Sequence, residues 1–212
     1  MKTTLPHCKT KNSADWLLVD FDDSFTYNIV NQLLPLGIRP TVINYRELTY
    51  QLDFPEVLIL GPGPSHPDEY LASSPGLRNY LQQGRQKIFG ICLGHQLICR
   101  SFNLTVRQLP NPIHGRAVDI IMPDWSFWPQ KKFKVQLYNS LGVLAQDWRD
   151  LGPEVRGYFS GGQLLYVQSS SRIGMQFHPE SVGTTNSSAL FAAVISFFCP
   201  TNFVNSFVSK LV

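Results

Sequence analysis

Residues 87–102 read KIFGICLGHQLICRSF. The stretch begins as a short apolar run, QKIFGIC, of the length and composition of a buried strand. It continues as GHQLICRSF, whose apolar spacing fits a helix. Strand, glycine-flanked turn and helix therefore follow one another within sixteen residues, which is half of a β-α-β unit. Upstream the alternation repeats. WLLVDF (16–21) predicts a strand. DDSFTYNIVNQLLPLG predicts a helix opened by Asp23 or Ser24, with Ile29, Leu33 and Leu34 facing inward and Gly37 ending it. PTVINY (40–45) and EVLILG (56–61) predict two further strands. SSPGLRNYLQQG (73–84) has a serine cap, an early proline and a terminal glycine, the start and stop signals of a helix.

That order predicts an α/β fold with a central, mostly parallel sheet flanked by helices. From 104 to 177 the texture changes to TVRQL, AVDIIM, FKVQLY, EVRGYF, QLLYVQ and RIGMQF, short pieces separated by Pro, Gly and Asn. These predict antiparallel strands added to the core. SSALFAAVISFFC (187–199) predicts a closing helix. Residues 1–15 are polar and aperiodic and read as a flexible N-terminal arm, leaving 16–212 as one domain.

Composition narrows the function classes. The chain has 212 residues, 43% hydrophobic and only 16% charged, with net charge +3. That is globular, not disordered, and a surface thin in charge suits a buried partner interface. Lys131-Lys132 is the longest basic run, so neither nucleic acid nor an acidic membrane is expected as a partner. ALFAAVISFFC is about half the length a membrane-spanning helix needs. The N-terminus lacks an apolar h-region, and the four cysteines (Cys8, Cys92, Cys99 and Cys199) form no CxxC. A reducing, cytoplasmic setting is the expectation. Neither metal nor cofactor is expected, because the acids of DDSF have no further ligands at suitable spacing.

Gly90-Ile91-Cys92-Leu93-Gly94 has the spacing of a nucleophile elbow, with Cys92 in the serine's place. A sharp strand-to-helix turn needs small neighbours, and the N–H groups of a helix start can stabilise a thiolate and an oxyanion. Taken by itself, a cysteine between glycines is more often a buried, inert thiol. A second piece, Gln176-Phe177-His178-Pro179-Glu180-Ser181, offers His178 as base and Glu180 as the group that orients it. Asp22, Asp23 and Ser24 read either as helix caps or as residues beside a site or interface. His114-Gly115 reads as a turn or as a partner-facing loop. His95 reads as packed or capping, and Cys99, two turns after Cys92, as core.

GICLGHQ and QFHPES, in this order, resemble the class I, triad-type glutamine amidotransferases. DFDDSFTYN (20–28), LGPGPSHPDE (60–69), HGRAVDI (114–120) and YNSLGV (138–143) are similar, in order and spacing, to the small subunits of anthranilate synthase and aminodeoxychorismate synthase. The resemblance covers about residues 16–199 and implies a flavodoxin-like fold. It implies that Cys92, His178 and Glu180 split L-glutamine, with oxyanion donors at Leu93 and in the PGPS loop at Ser65. Gly63, Pro64, Ser65, Gln96, Ser140 and Leu141 would hold the substrate. Ammonia would pass to a chorismate-binding synthase large subunit on a separate chain. Two departures stand out. Ser65 replaces the usual second glycine of P-G-P-G; with φ > 0 there, the cost would be on the order of 1 kcal/mol. Asn139 replaces the usual histidine of Tyr-His-Ser and reads as a side contact near the substrate loop or the partner face. The alternatives are a degenerate amidotransferase kept as a partner-binding or regulatory module, or a stand-alone γ-glutamyl hydrolase.

Overall fold

The computed structural model describes residues 16–49, 55–84, 86–128 and 131–200. The expected N-terminal arm and Cys8 lie outside them. Along the chain run β1 (Trp16–Asp20), α1 (Thr26–Leu33), β2 (Thr41–Asn44), β3 (Val57–Leu60), α2 (Pro67–Ser73), α3 (Pro75–Gln82) and β4 (Lys87–Ile91). Then come α4 (Leu93–Ser101), β5 (Arg107–Ile121), β6 (Lys132–Gly142), β7 (Arg156–Ser160), β8 (Gln163–Gln168), β9 (Arg172–Met175) and α5 (Ser187–Phe198).

Among the described residues the main sheet has the order β2-β1-β3-β4-β9-β8-β7. Strands β2, β1, β3, β4 and β9 are parallel, and β8 and β7 extend the sheet antiparallel. Both faces are covered, which is why β3 is buried at every residue and shows no polar alternation. Leu18, Ile59, Phe89 and Ile91 point to one core, shared with α1 and α5. Val19, Leu58, Leu60 and Ile88 point to the other, beneath α3 and α4.

The α/β expectation holds, with corrections of detail. RIGMQF is not an added antiparallel strand: β9 lies parallel to β4, inside the sheet. TVRQL and AVDIIM are parts of one long strand, β5, which pairs with β6 in a separate two-stranded sheet. The acids after β1 do not cap α1, whose N-cap is Phe25 with no side-chain cap. Asp20, the last residue of β1, and Asp23 shape the turn before it: Asp20 accepts from the Thr26 hydroxyl at 2.7 Å, and Asp23 accepts from the Phe25 N–H at 2.8 Å. Helix α2 was not expected, although Pro67 at its start and Asp68 and Glu69 in its first turn are helix-start signals.

Candidate active site

The site is assembled at the carboxyl ends of β3, β4 and β9. Cys92 is the turn between β4 and α4, at φ +52° and ψ −101°. A side chain rarely adopts that backbone, and strain on the order of 1–3 kcal/mol persists only where packing over-determines it. The packing is present on both sides. Cys92 N–H donates to the Met175 carbonyl at 2.8 Å, and Gly94 N–H to the Gly61 carbonyl at 3.1 Å. A Cβ on Gly94 would stand 2.0 Å from the Leu60 carbonyl oxygen, so only glycine lets α4 start this close to β3. Leu93 is the first residue of α4, and its N–H has no acceptor within the helix.

The PGPS loop leaves β3 and lies against the elbow. A Cβ on Gly63 would stand 2.5 Å from the Leu93 side chain. Ser65 corrects an expectation: the non-glycine residues with positive φ among the described residues are Asp22, Cys92, Asn103 and Asn186. Ser65 therefore carries no left-handed strain. Its main chain and hydroxyl instead lie against the Tyr70 hydroxyl. Burial pushes the Tyr70 phenol up, and the two Ser65 groups partly oppose that.

His178 and Glu180 follow β9. The His178 Nδ1 lies 2.7 Å from Glu180 Oε1, with both residues buried. The main chain fixes the imidazole: His178 N–H donates to Gln136 O at 2.9 Å, and the Thr184 hydroxyl donates to His178 O at 2.6 Å. Phe25 and Tyr138 flank the ring at centroid distances of 5.2 and 5.1 Å. Burial pulls the imidazole pKa down, but the Glu180 charge and the Cys92 sulfur outweigh it and hold His178 well above its ordinary range. With Nδ1 committed to Glu180, Nε2 is the nitrogen left for proton exchange with Cys92.

Gln96, one turn into α4, donates from Nε2 to Leu141 O at 3.0 Å and to Gln176 Oε1 at 3.2 Å. Gln176 Nε2 in turn lies 3.7 Å from Cys92 Sγ. Gln96, Leu141 and Cys92 are thus joined by contacts from α4, β6 and the chain after β9. Phe25, Tyr138 and Gln176 had no assigned role in the sequence reading; only their places within DSFTYN, YNSLGV and QFHPES marked them.

A glutamine amidotransferase class-I family model matches residues 17–197. The chain belongs to the class I glutamine amidotransferases. Within that family, this chain is 32% identical over 180 residues to anthranilate synthase component 2 of Saccharolobus solfataricus, covering 80% of this chain and 91% of the relative. It is 34% identical over 190 residues to aminodeoxychorismate synthase of Streptomyces pristinaespiralis, covering 83% of this chain but 25% of that longer protein. A GMP synthase component from Thermoplasma acidophilum, known from its crystal structure, superposes with a TM-score of 0.76 at 20% identity, covering 90% of this chain and 96% of that one. At that identity the likeness concerns the fold.

Proposed function

We propose that this amidotransferase is the glutaminase of a chorismate-using synthase and delivers ammonia to a separate large subunit. The observation that carries the reading is the buried His178–Glu180 pair, 2.7 Å apart, serving a cysteine held at φ +52° on an elbow. Residues 16–212 are read as the one amidotransferase domain. The relatives' names support the synthase branch and leave anthranilate and aminodeoxychorismate equally open.

The Cys92 thiol gives its proton to His178 Nε2, whose raised pKa keeps it there, and the sulfur then attacks the carboxamide carbon of glutamine. The new S–C bond makes a tetrahedral oxyanion, met by the Leu93 N–H and by the loop from Gly63 through Pro64 to Ser65. Collapse breaks the C–N bond, and the nitrogen leaves as ammonia with the proton from His178. Water then attacks the thioester and gives a proton to His178; the S–C bond breaks, glutamate leaves, and the proton returns from His178 to the Cys92 sulfur. Gln96 and the main chain at Ser140 and Leu141 hold the amino-acid end. Tyr27 and Val182 support a partner beside the site: both are exposed, at 65% and 104%, and each lies two residues from a site residue, Phe25 or Glu180.

The test uses Cys92→Ser in the complex that co-purifies with the chain, supplied with chorismate and either glutamine or ammonium. Glutamine-dependent amination is lost and ammonium-dependent amination persists. Full glutamine-dependent turnover by the variant would exclude Cys92 as the nucleophile.

A further inference from the structure

The segment Asn139–Leu141 is held in an unusual way. Strand β5 pairs Gln108 with Leu141 and Ile113 with Asn139, so the four residues 109–112 bulge past Ser140, which has no partner in the ladder. Two of the four, Pro110 and Pro112, have no N–H to give. The break takes Ser140 out of the ladder register, so pairing with β5 does not by itself fix where its main chain lies.

A buried amide takes over that task. Asn139 is 2% exposed. Its Nδ2 donates to Leu141 O at 2.9 Å and to Gln163 Oε1 at 2.9 Å. Leu141 O also accepts from Gln96, so one carbonyl is clamped by donors from β6 and α4. Gln163 opens β8, pairs with Ser160 of β7 and is tied to Leu144 by an isolated bridge, which anchors Asn139 to the main sheet. Asn139 Oδ1 is buried with no hydrogen-bond partner among the described residues. An unmatched buried carbonyl costs stability, whereas the amide nitrogen makes both of its contacts, so what Asn139 contributes here is its donor side.

We infer that Asn139 is a positioning residue for glutamine, with Gln163 as its anchor, and that the pair sets the Ser140–Leu141 main chain without touching the substrate. The inference rests on the glutamine-site reading above. It replaces the expectation of a side contact: Asn139 lies in the interior, one hydrogen bond from the carbonyl that Gln96 also grips. The neighbouring groove of about 890 Å³, lined by Leu109, His114, Arg116 and Gln163, reaches the outer end of the same pair.

The experiment measures labelling of Cys92 by a diazoketone analogue of glutamine, and separately by iodoacetamide, on the protein purified in its native complex. Asn139→Leu removes both donors at similar volume, and Gln163→Met removes the anchoring acceptor. Each raises the half-saturating concentration of the analogue about five- to tenfold, the size of one lost hydrogen bond. The maximal labelling rate and the iodoacetamide rate stay unchanged, because Cys92 and His178 are untouched. If Asn139→Leu fails to fold, Gln163→Met decides. Saturable labelling of the wild type with an unchanged half-saturating concentration in the folded variants overturns this inference alone. Labelling of the wild type with no preference for the analogue over iodoacetamide overturns both it and the glutamine-site reading.

Discussion

Acid should destabilise this protein through His95, a residue the chemistry does not use. His95 lies in α4, one turn after Cys92, and is fully enclosed. Burial dominates and lowers its pKa from 6.5 to about 4, with the main chain of Gly174 and Leu164 opposing. The folded state thus holds His95 neutral while the unfolded chain protonates it below about pH 6.5. A base with a depressed folded pKa contributes stability that is complete above the unfolded value and is lost as pH falls toward the folded one. From 6.5 and about 4, the loss is about 2 kcal/mol by pH 5 and about 3 kcal/mol by pH 4. Neighbouring groups do not blur that window. Cys99, 3.6 Å from His95 Nε2, is pushed up by burial and stays neutral. His178 is raised, so its contribution is complete below pH 6.5 and is lost only as pH rises through the raised value. The assay is urea unfolding of wild type and His95→Gln at several pH values from 7.5 down to 4. The variant is less stable at neutral pH, and the gap between the two closes by about 2 kcal/mol on reaching pH 5. A gap that does not change with pH would refute the claim that His95 is held neutral by burial.

Two further outcomes follow from the site. Glu180→Gln leaves a hydrogen-bonding side chain beside His178 but removes the charge that fixes its tautomer, so kcat for glutamine falls at least about a hundredfold. Steady-state kinetics checks this, with KM little changed. Ser65→Gly gives no gain in stability, since Ser65 is not in the left-handed region, and loses up to about 1 kcal/mol through added unfolded-chain entropy. A higher urea midpoint for that variant would place strain at Ser65 after all.

Strands β1, β3 and β4 could be read because a strand buried on both faces must be an apolar run, whatever its neighbours. Helix α3 could be read because Ser74, Pro75 and Gly84 are local start and stop signals, and the helix runs from Pro75 to Gln82 between them. β9 was misjudged because a parallel and an antiparallel strand have the same local sequence; only its neighbours decide. The long β5–β6 ribbon was broken into pieces for a related reason. Its prolines and glycine look like turns, yet opposite β6 they are register shifts inside one strand. Strain at Ser65 hung on a positive φ at a place where glycine is usual, and the sequence could not supply that φ, because it depends on how the loop packs and not on which residue is absent.

The layered α/β fold and the chemical parts of the site are legible in short segments: a cysteine on a glycine-flanked elbow, and a histidine and a glutamate two residues apart. Hydrophobic runs, turn residues and reactive groups are properties of short segments, so they can be read without coordinates. How those parts stand to one another is set by long-range packing. Cys92 and His178 are 86 positions apart in the chain, and β9 beside β4 brings them together. The amide chain Gln163–Asn139–Leu141–Gln96 joins β8, β6 and α4. Such links arise from contacts between distant segments, where one residue's environment is made by others, and no local pattern records them.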